Sequence, residues 1–149
     1  MCTMKRLLAF SILILLVYGC DYFAFGPGKS DFVTKLCGEY YVLRTSAQHI
    51  QVSPMSFGDN TPIIPTKVIE LGYDQKFIIA KQKHLKQKSP SNPKNTYKKP
   101  DPGVLSYWIL DVTIPKVYGP FSSKEFYKKR TELNVPRGLK MEDVYKYRK

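Results

Sequence analysis

The chain has few residues of the kinds that build catalytic and metal sites. Its 149 residues include three cysteines, two histidines and one tryptophan. His49 and His84 are far apart, and no pair of cysteines or histidines has the spacing of a zinc site. No glycine-rich loop leads into a helix with the lysine that a phosphate-binding loop requires. We therefore expect no bound metal or other cofactor and no enzyme activity.

The N-terminal stretch has the three parts of a secretory signal peptide. Lys5 and Arg6 form a positive region, residues 7–18 are an apolar run broken only by a serine, and Gly19 precedes Cys20. A cysteine directly after a small residue resembles a bacterial lipobox. We expect cleavage between Gly19 and Cys20 and a diacylglyceryl group on Cys20. An uncleaved signal anchor and a buried core helix are the alternatives, and the run is shorter than the roughly 20 residues that span a bilayer.

This N-terminal stretch predicts how the chain is divided. Residues 1–19 are the lipoprotein signal peptide, residues 20–30 a lipid-anchored spacer, and residues 31–149 a single domain. Cys2 is lost with the signal peptide and Cys20 carries lipid, which leaves Cys37 alone. An intramolecular disulfide is then excluded, and the domain must be held together by packing. We expect Cys37 to be a small, partly buried residue.

Alternation of polar and apolar residues predicts a domain built mainly of strands. Strand patterns occur within residues 31–54, and residues 67–82 and 107–118 each have the pattern of a hairpin. The segment YWILDV at 107–112 is apolar on both faces, so we expect it to be the central strand, with Trp108 in the core.

The sequence after Gly119-Pro120 predicts a helix. Ser122 and Glu125 fit a capping box, and Phe121 with Phe126 fits a hydrophobic staple. The helix is expected to end near Leu133, and residues 139–147 are a weaker candidate for a second one. The predicted fold class is α+β: a mainly antiparallel sheet, curled or packed as a small sandwich of five to seven strands, with the C-terminal helix packed on it.

Positive charge is concentrated in the second half of the chain. Residues 20–75 hold four Lys/Arg against six Asp/Glu, whereas residues 76–149 hold eighteen against six. Residues 81–100 carry seven lysines, three prolines and no acid, so we expect a long irregular Lys-rich loop at about 83–103. The candidate contacts to an anionic surface are Lys81, Lys83, Lys86, Lys88, Lys94, Lys98 and Lys99.

Three interpretations of this insert stay open. The first is that the insert is solvated and only keeps the protein soluble. The second is that it is attracted to anionic headgroups or wall polymers, and the third is that it binds nucleic acid. Nucleic acid is disfavoured because Tyr97 is the one aromatic residue there on which a base could stack.

Carboxylates offer one further possibility for chemistry. Glu70, Asp74 and Asp111 would approach each other if the two hairpins are neighbours, and an acid/base pair is one interpretation. The alternative is that they are structural groups at turns and strand ends. His49 is likewise expected to be a strand residue with satisfied hydrogen bonds.

Four segments together resemble a family of small bacterial lipoproteins of unknown function, a domain-of-unknown-function family. They are residues 30–54, 64–82, 107–136 and 139–147, and the combination of YWILD, KVYGPF and the helix that follows is the most specific part. The resemblance implies a lipobox at Cys20 and gives no residue a catalytic role.

These observations predict a lipid-anchored protein on the extracytoplasmic face of the cell membrane. Its expected function is that of a non-catalytic binding module for a protein or an envelope component. A membrane- or wall-docking structural protein that uses its basic C-terminal half is the alternative, and an envelope-acting hydrolase is the third. Expected partners are the membrane, through the diacylglyceryl anchor on Cys20, and an envelope protein or anionic polymer, with no nucleic acid.

Overall fold

The computed structural model describes residues 31–56, 58–88, 91 and 98–149. The predicted signal peptide, the cleavage site at Gly19 and Cys20, and the spacer up to residue 30 lie outside these residues. Lys94 and Tyr97 of the Lys-rich insert also lie outside them. Within the described ranges, no helix combines the length and the hydrophobicity that crossing a membrane requires.

The first part of the domain is a small antiparallel sheet of three strands. Strands β1 (Phe32–Lys35), β2 (Tyr40–Arg44) and β3 (Ile50–Pro54) pair in the order β1-β2-β3. Every second residue of β1 and β2 is buried, as the period of two in the sequence predicts. One face of this sheet therefore contributes to the core.

A larger antiparallel sheet follows. It contains β4 (Val68–Tyr73), β5 (Phe77–Gln87), β6 (Lys98–Asp111), β7 (Lys116–Phe121) and the short β8 (Glu142–Asp143). The order is β7-β6-β5-β4-β8, so β5 is the middle strand. The expectation that YWILDV forms the central strand is therefore wrong. This segment belongs to β6, which is the neighbour of the middle strand β5.

The helix α1 (Ser123–Glu132) begins where the sequence predicts. Ser122 Oγ accepts a hydrogen bond from the Glu125 N–H, and the Glu125 carboxylate accepts one from the Ser122 N–H, which completes the capping box. Phe126 is the one buried residue of α1. The chain leaves the helix through Asn134, whose positive φ of 56° stops it.

The three layers are the small sheet, the large sheet and α1. Ile78 and Ala80 of β5 pack with the residues of the small sheet, whereas Phe77 and Ile79 pack on the other side with Phe126. Because β5 is covered on both faces, it can be apolar without alternation. The predicted α+β class with a helix packed on antiparallel sheet is confirmed.

Two local expectations are wrong. Instead of a helix over residues 139–147, the C-terminal segment forms β8 and then a 3-10 helix (Val144–Tyr147). The irregular loop expected over 83–103 is wrong at both of its ends, because β5 continues to Gln87 and β6 begins at Lys98, with Lys86 opposite Lys99. Residues 89, 90 and 92–97 of that range lie outside the described residues. Pro100 is compatible with β6 because this part of the strand has a neighbour on one side only, where a missing N–H is tolerated.

Candidate functional site

The most prominent surface feature is a two-stranded extension of the large sheet. Lys83 exchanges backbone hydrogen bonds with Lys67, and the pairing of β6 with β7 stops at Tyr107 opposite Phe121. Beyond these points β5 and β6 pair only with each other among the described residues. Residues 83–88 and 98–105 are hereafter termed the basic ribbon.

Lysines crowd the end of the basic ribbon. Lys86 lies directly opposite Lys99, so both side chains are on one face, where like charges repel. The Asp101 carboxylate lies 3.2 Å from Lys86 Nζ, and its hydrogen bond from that ammonium lowers the pKa of Asp101. Lys98 and Lys99 are exposed, and neither forms an ion pair within the described part of the chain.

The strand pairing of the basic ribbon is irregular near its base. Lys83 pairs with Leu105 and Leu85 pairs with Pro100, so residues 101–104 of β6 face His84 alone. Such an irregularity increases twist and re-aims the strand. Next to it Leu105 is 40% exposed, and Val104 is also exposed. Sequence reasoning did not single out these two apolar residues, which lie between the loop predicted at about 83–103 and the hairpin predicted at 107–118.

Polar side chains fix the base of the ribbon on the side of the small sheet. His84 Nε2 and Ser106 Oγ are 2.7 Å apart, and Trp108 donates from Nε1 to Gln82 Oε1 over 2.8 Å. Gln82 in turn donates to the Thr66 carbonyl. Trp108 packs against the main core with part of its ring exposed. Its position therefore serves both packing and the orientation of Gln82.

Lys81 differs from the other lysines of the insert. It lies on β5 within the sheet, its Nζ is 2.9 Å from Glu70 Oε1, and its side chain is 22% exposed. The hydrogen bond to Glu70 raises the pKa of Lys81. Of the predicted anionic-surface contacts, Lys83, Lys86, Lys88, Lys98 and Lys99 lie on the ribbon, Lys81 beside its base and Lys94 outside the described residues.

The three candidate carboxylates are occupied by local contacts. The Glu70 carboxylate accepts a hydrogen bond from the Lys81 ammonium. Asp74 accepts hydrogen bonds from the N–H groups of Lys76 and Phe77 in the turn between β4 and β5. Asp111 accepts from the hydroxyl and N–H of Thr113. Burial opposes ionisation of Asp111, but these hydrogen bonds outweigh it and lower its pKa. No group of three or more potential metal ligands occurs among the residues that the structure describes.

Cys37 lies in the turn between β1 and β2 and is partly buried. Burial, with the nearby Asp74 charge, raises its pKa to about 11. A thiol with that pKa is almost entirely protonated at neutral pH and is a weak nucleophile. The expected role of Cys37 as a small packing residue agrees with this position.

A shallow groove beside the turn that follows β6 is one of the concave features of the described surface. It is lined by the loop at 59–65, by Pro115 in the turn before β7, by Lys116 and Val117 at the start of β7, and by Trp108. Both the loop and the turn contribute prolines, and Asp59 and Lys116 are its charged residues. Its open shape and sparse polar groups contrast with the concentrated charge of the basic ribbon.

Comparison with known proteins gives one match. Residues 37–145 match the family described as a protein of unknown function, DUF3997. No curated protein matches, and no solved structure matches. The predicted resemblance to a domain-of-unknown-function family is thus confirmed, while the lipoprotein character stays a prediction. Because the matched residues make up well over half of the chain, this protein belongs to the DUF3997 family of proteins of unknown function.

Proposed function

We propose that the protein is a lipid-anchored, non-catalytic binding module on the extracytoplasmic face of a bacterial cell membrane. Its binding surface is the basic ribbon, and its ligand is an envelope component rich in phosphate groups. The observation that carries the proposal is the geometry of this ribbon, which gathers lysines on a two-stranded arm outside the packed body.

The arrangement of charge on the ribbon supports this proposal. Lys86 and Lys99 point to one face although their charges repel, and Asp101 is the single acid that the ribbon carries. An anionic ligand relieves this repulsion, since each lysine near an anionic surface contributes on the order of 1 kcal/mol to binding. The same repulsion lowers the stability of the free protein, and a binding role accounts for why it is present.

The free edges of the ribbon support it as well. An isolated two-stranded hairpin is marginally stable in water, and the ribbon has no third strand among the described residues. Binding to a partner would order such an arm, and the partner must match its positive charge. A solvated insertion needs neither the paired backbone nor the clustered lysines.

The predicted anchor brings the ribbon close to such a ligand. Residues 20–30 would link Cys20 to the start of the described body. Eleven extended residues reach at most about 40 Å. A body tethered within this distance samples the anionic layer next to the bilayer at a high effective concentration.

The anchor makes the first testable prediction of this proposal. Cells that express the full chain and are fed a radiolabelled fatty acid should incorporate label into the protein, and Cys20→Ala should abolish the incorporation. Fatty-acid transfer requires the Cys20 thiol, whereas Cys37 is partly buried with a raised pKa. Cys37→Ala is the matched control and should retain full labelling. Label that persists in Cys20→Ala would contradict the anchor.

The basic ribbon makes the second testable prediction of the proposed function. Reversing the charge of Lys98 and Lys99 together should weaken binding of the full chain to inorganic polyphosphate by tenfold or more, on the basis of about 1 kcal/mol for each lost attraction. Fluorescence anisotropy of labelled polyphosphate, with the protein purified as cells produce it, measures the affinity. Affinity of the unmodified chain should also fall as salt is raised, because salt screens exposed charges.

The control for this experiment changes net charge equally at a distance from the ribbon. Lys35 is exposed on β1 of the small sheet, and Lys149 is exposed at the end of the chain. The double variant Lys35→Glu/Lys149→Glu should lose much less affinity than Lys98→Glu/Lys99→Glu. Equal losses in the two double variants would show that only net charge matters, which would reject the ribbon as the binding surface.

A further inference from the structure

Apolar and aromatic side chains continue the basic ribbon on the face of the large sheet that carries α1. Lys83 is opposite Leu105 and Lys81 is opposite Tyr107, so all four side chains are on this face. On α1, the ring of Tyr127 lies 5.5 Å from that of Phe126, and the Phe126 ring lies 5.1 Å from that of Tyr107 (distances between centroids). Leu105, Lys83, Tyr107, Lys81 and Tyr127 are hereafter termed the interfacial strip.

Two residues of the interfacial strip are exposed to solvent, and the other three are partly exposed. Tyr127 is 59% exposed and Leu105 is 40% exposed. Tyr107 is held in place by its ring contact with Phe126, at 5.1 Å between centroids. Single exposed apolar residues are ordinary on protein surfaces. What distinguishes Leu105 is that it lies opposite Lys83 on a ribbon that carries four further lysines.

The residue types of the strip match those found at the boundary between the headgroups and the acyl chains of a lipid bilayer. Lysine combines an apolar stem with a charged end, and tyrosine combines an apolar ring with a polar tip. Such side chains, together with leucine, are typical of the boundary between lipid headgroups and acyl chains. Glu70 lies opposite Lys81 on this face, and its charge is already paired with that lysine.

We infer that the anionic component bound by the basic ribbon is the surface of a phospholipid bilayer, with Leu105 and Tyr127 at the headgroup boundary. This inference rests on the proposed function. A wall polymer supplies phosphate groups to the ribbon lysines but no apolar layer, so it would leave Leu105 in water. A bilayer supplies both, and removing apolar area from water contributes about 25 cal/mol for each Å².

The test places a fluorophore sensitive to its surroundings on the strip. Leu105→Cys is labelled in the full chain with Cys37→Ala, and the protein is reconstituted into vesicles of phosphatidylcholine alone or with phosphatidylglycerol. Some of the lipids carry brominated acyl chains, which quench a fluorophore that lies near them. The matched control is a label at Ile114, which is 62% exposed in the turn before β7.

We expect quenching at position 105 to exceed that at position 114 by at least about twofold in phosphatidylglycerol vesicles, since an amphipathic surface buries its apolar side in the headgroup boundary. High salt and Lys98→Glu/Lys99→Glu should each remove the difference. Circular dichroism checks that each labelled variant is folded. A Tyr127→Cys label, tested in the same way, should reproduce the behaviour of position 105.

The outcomes separate this inference from the proposed function. If the ribbon binds polyphosphate but positions 105 and 127 are quenched no more than position 114, the bilayer is rejected, whereas the binding module stands with a wall polymer as its ligand. If quenching at 105 is equal in the two kinds of vesicle, the anionic lipid is not recognised and the inference is also overturned. If polyphosphate binding is insensitive to the ribbon lysines, both fail.

Discussion

Replacement of Phe126 by alanine is expected to lower the free energy of unfolding by about 3–5 kcal/mol. Phe126 is fully buried and is the one residue of α1 that enters the core. It packs against Phe77, Ile79 and Ile109 of the large sheet. Loss of its ring leaves a cavity between α1 and the sheet and removes the contact that holds Tyr107 on the interfacial strip.

Urea unfolding followed by far-ultraviolet circular dichroism measures this effect. Phe126→Leu is the matched control, because a smaller apolar side chain still fills most of the site and should cost about 1 kcal/mol. Fluorescence of Trp108, the one tryptophan, reports on the other side of the sheet. If the domain unfolds cooperatively, this fluorescence should change in the same transition as the circular dichroism. A Phe126→Ala loss below about 1 kcal/mol would mean that α1 is not anchored in this way.

Gly72→Ala should destabilise the protein by at least about 3 kcal/mol. A Cβ at Gly72 would lie within 3 Å of the backbone carbonyl of Lys140, and a backbone atom cannot rotate away as a side chain can. The C-terminal segment must therefore move off β4. Its removal would expose Val144, which is fully buried, and break the hydrogen bond from the Tyr147 hydroxyl to the Leu71 carbonyl.

Gly138→Ala is the control for this change, since nothing lies within 4 Å of a Cβ added there. Its effect should stay within about 0.5 kcal/mol. Unfolding in urea gives the two free energies, and limited trypsin digestion tests whether residues 140–149 become cleavable. Gly72→Ala with unchanged stability and an uncleaved C-terminal segment would show that this segment is not seated against β4.

The outcome of Gly72→Ala also bears on the arrangement of the layers. The Thr34 hydroxyl donates to the Tyr147 carbonyl over 2.6 Å, so the C-terminal residues connect the small sheet to β4 of the large one. The residues of the strip and the ribbon belong to β5, β6 and α1, and none of them lies on β4 or in the C-terminal segment. We therefore expect Gly72→Ala to lower stability without changing the salt dependence of polyphosphate binding in the molecules that stay folded.

Sequence reasoning was successful where the signal is local. The capping box of Ser122 and Glu125 involves neighbouring turns of one helix, and the structure contains both of its hydrogen bonds. The alternation in β1 and β2 is likewise a property of a few consecutive residues. Asp74 and Asp111 were also interpreted as structural groups at turns, and both accept hydrogen bonds from residues two or three positions further along the chain.

The sequence was insufficient where partners come from distant parts of the chain. Prolines and lysines in residues 81–100 are typical of a loop, and a strand there required knowing that β5 and β6 pair with each other. The same holds for β8, whose two residues are strand only because they pair with Glu70 and Leu71. Leu105 and Tyr127 are unremarkable in the sequence, and only the fold brings them to one face.

The sequence by itself determined the α+β class, the start of the helix, the unequal distribution of charge and the expectation of a secreted, lipid-anchored chain. All of these depend on composition or on contacts between close neighbours. Tertiary structure decided that the ends of the Lys-rich insert pair as an arm and that α1 packs its aromatic residues beside the base of that arm. The physical reason is that strand pairing and layer packing join residues far apart in the chain, and no local preference specifies which distant residues will meet.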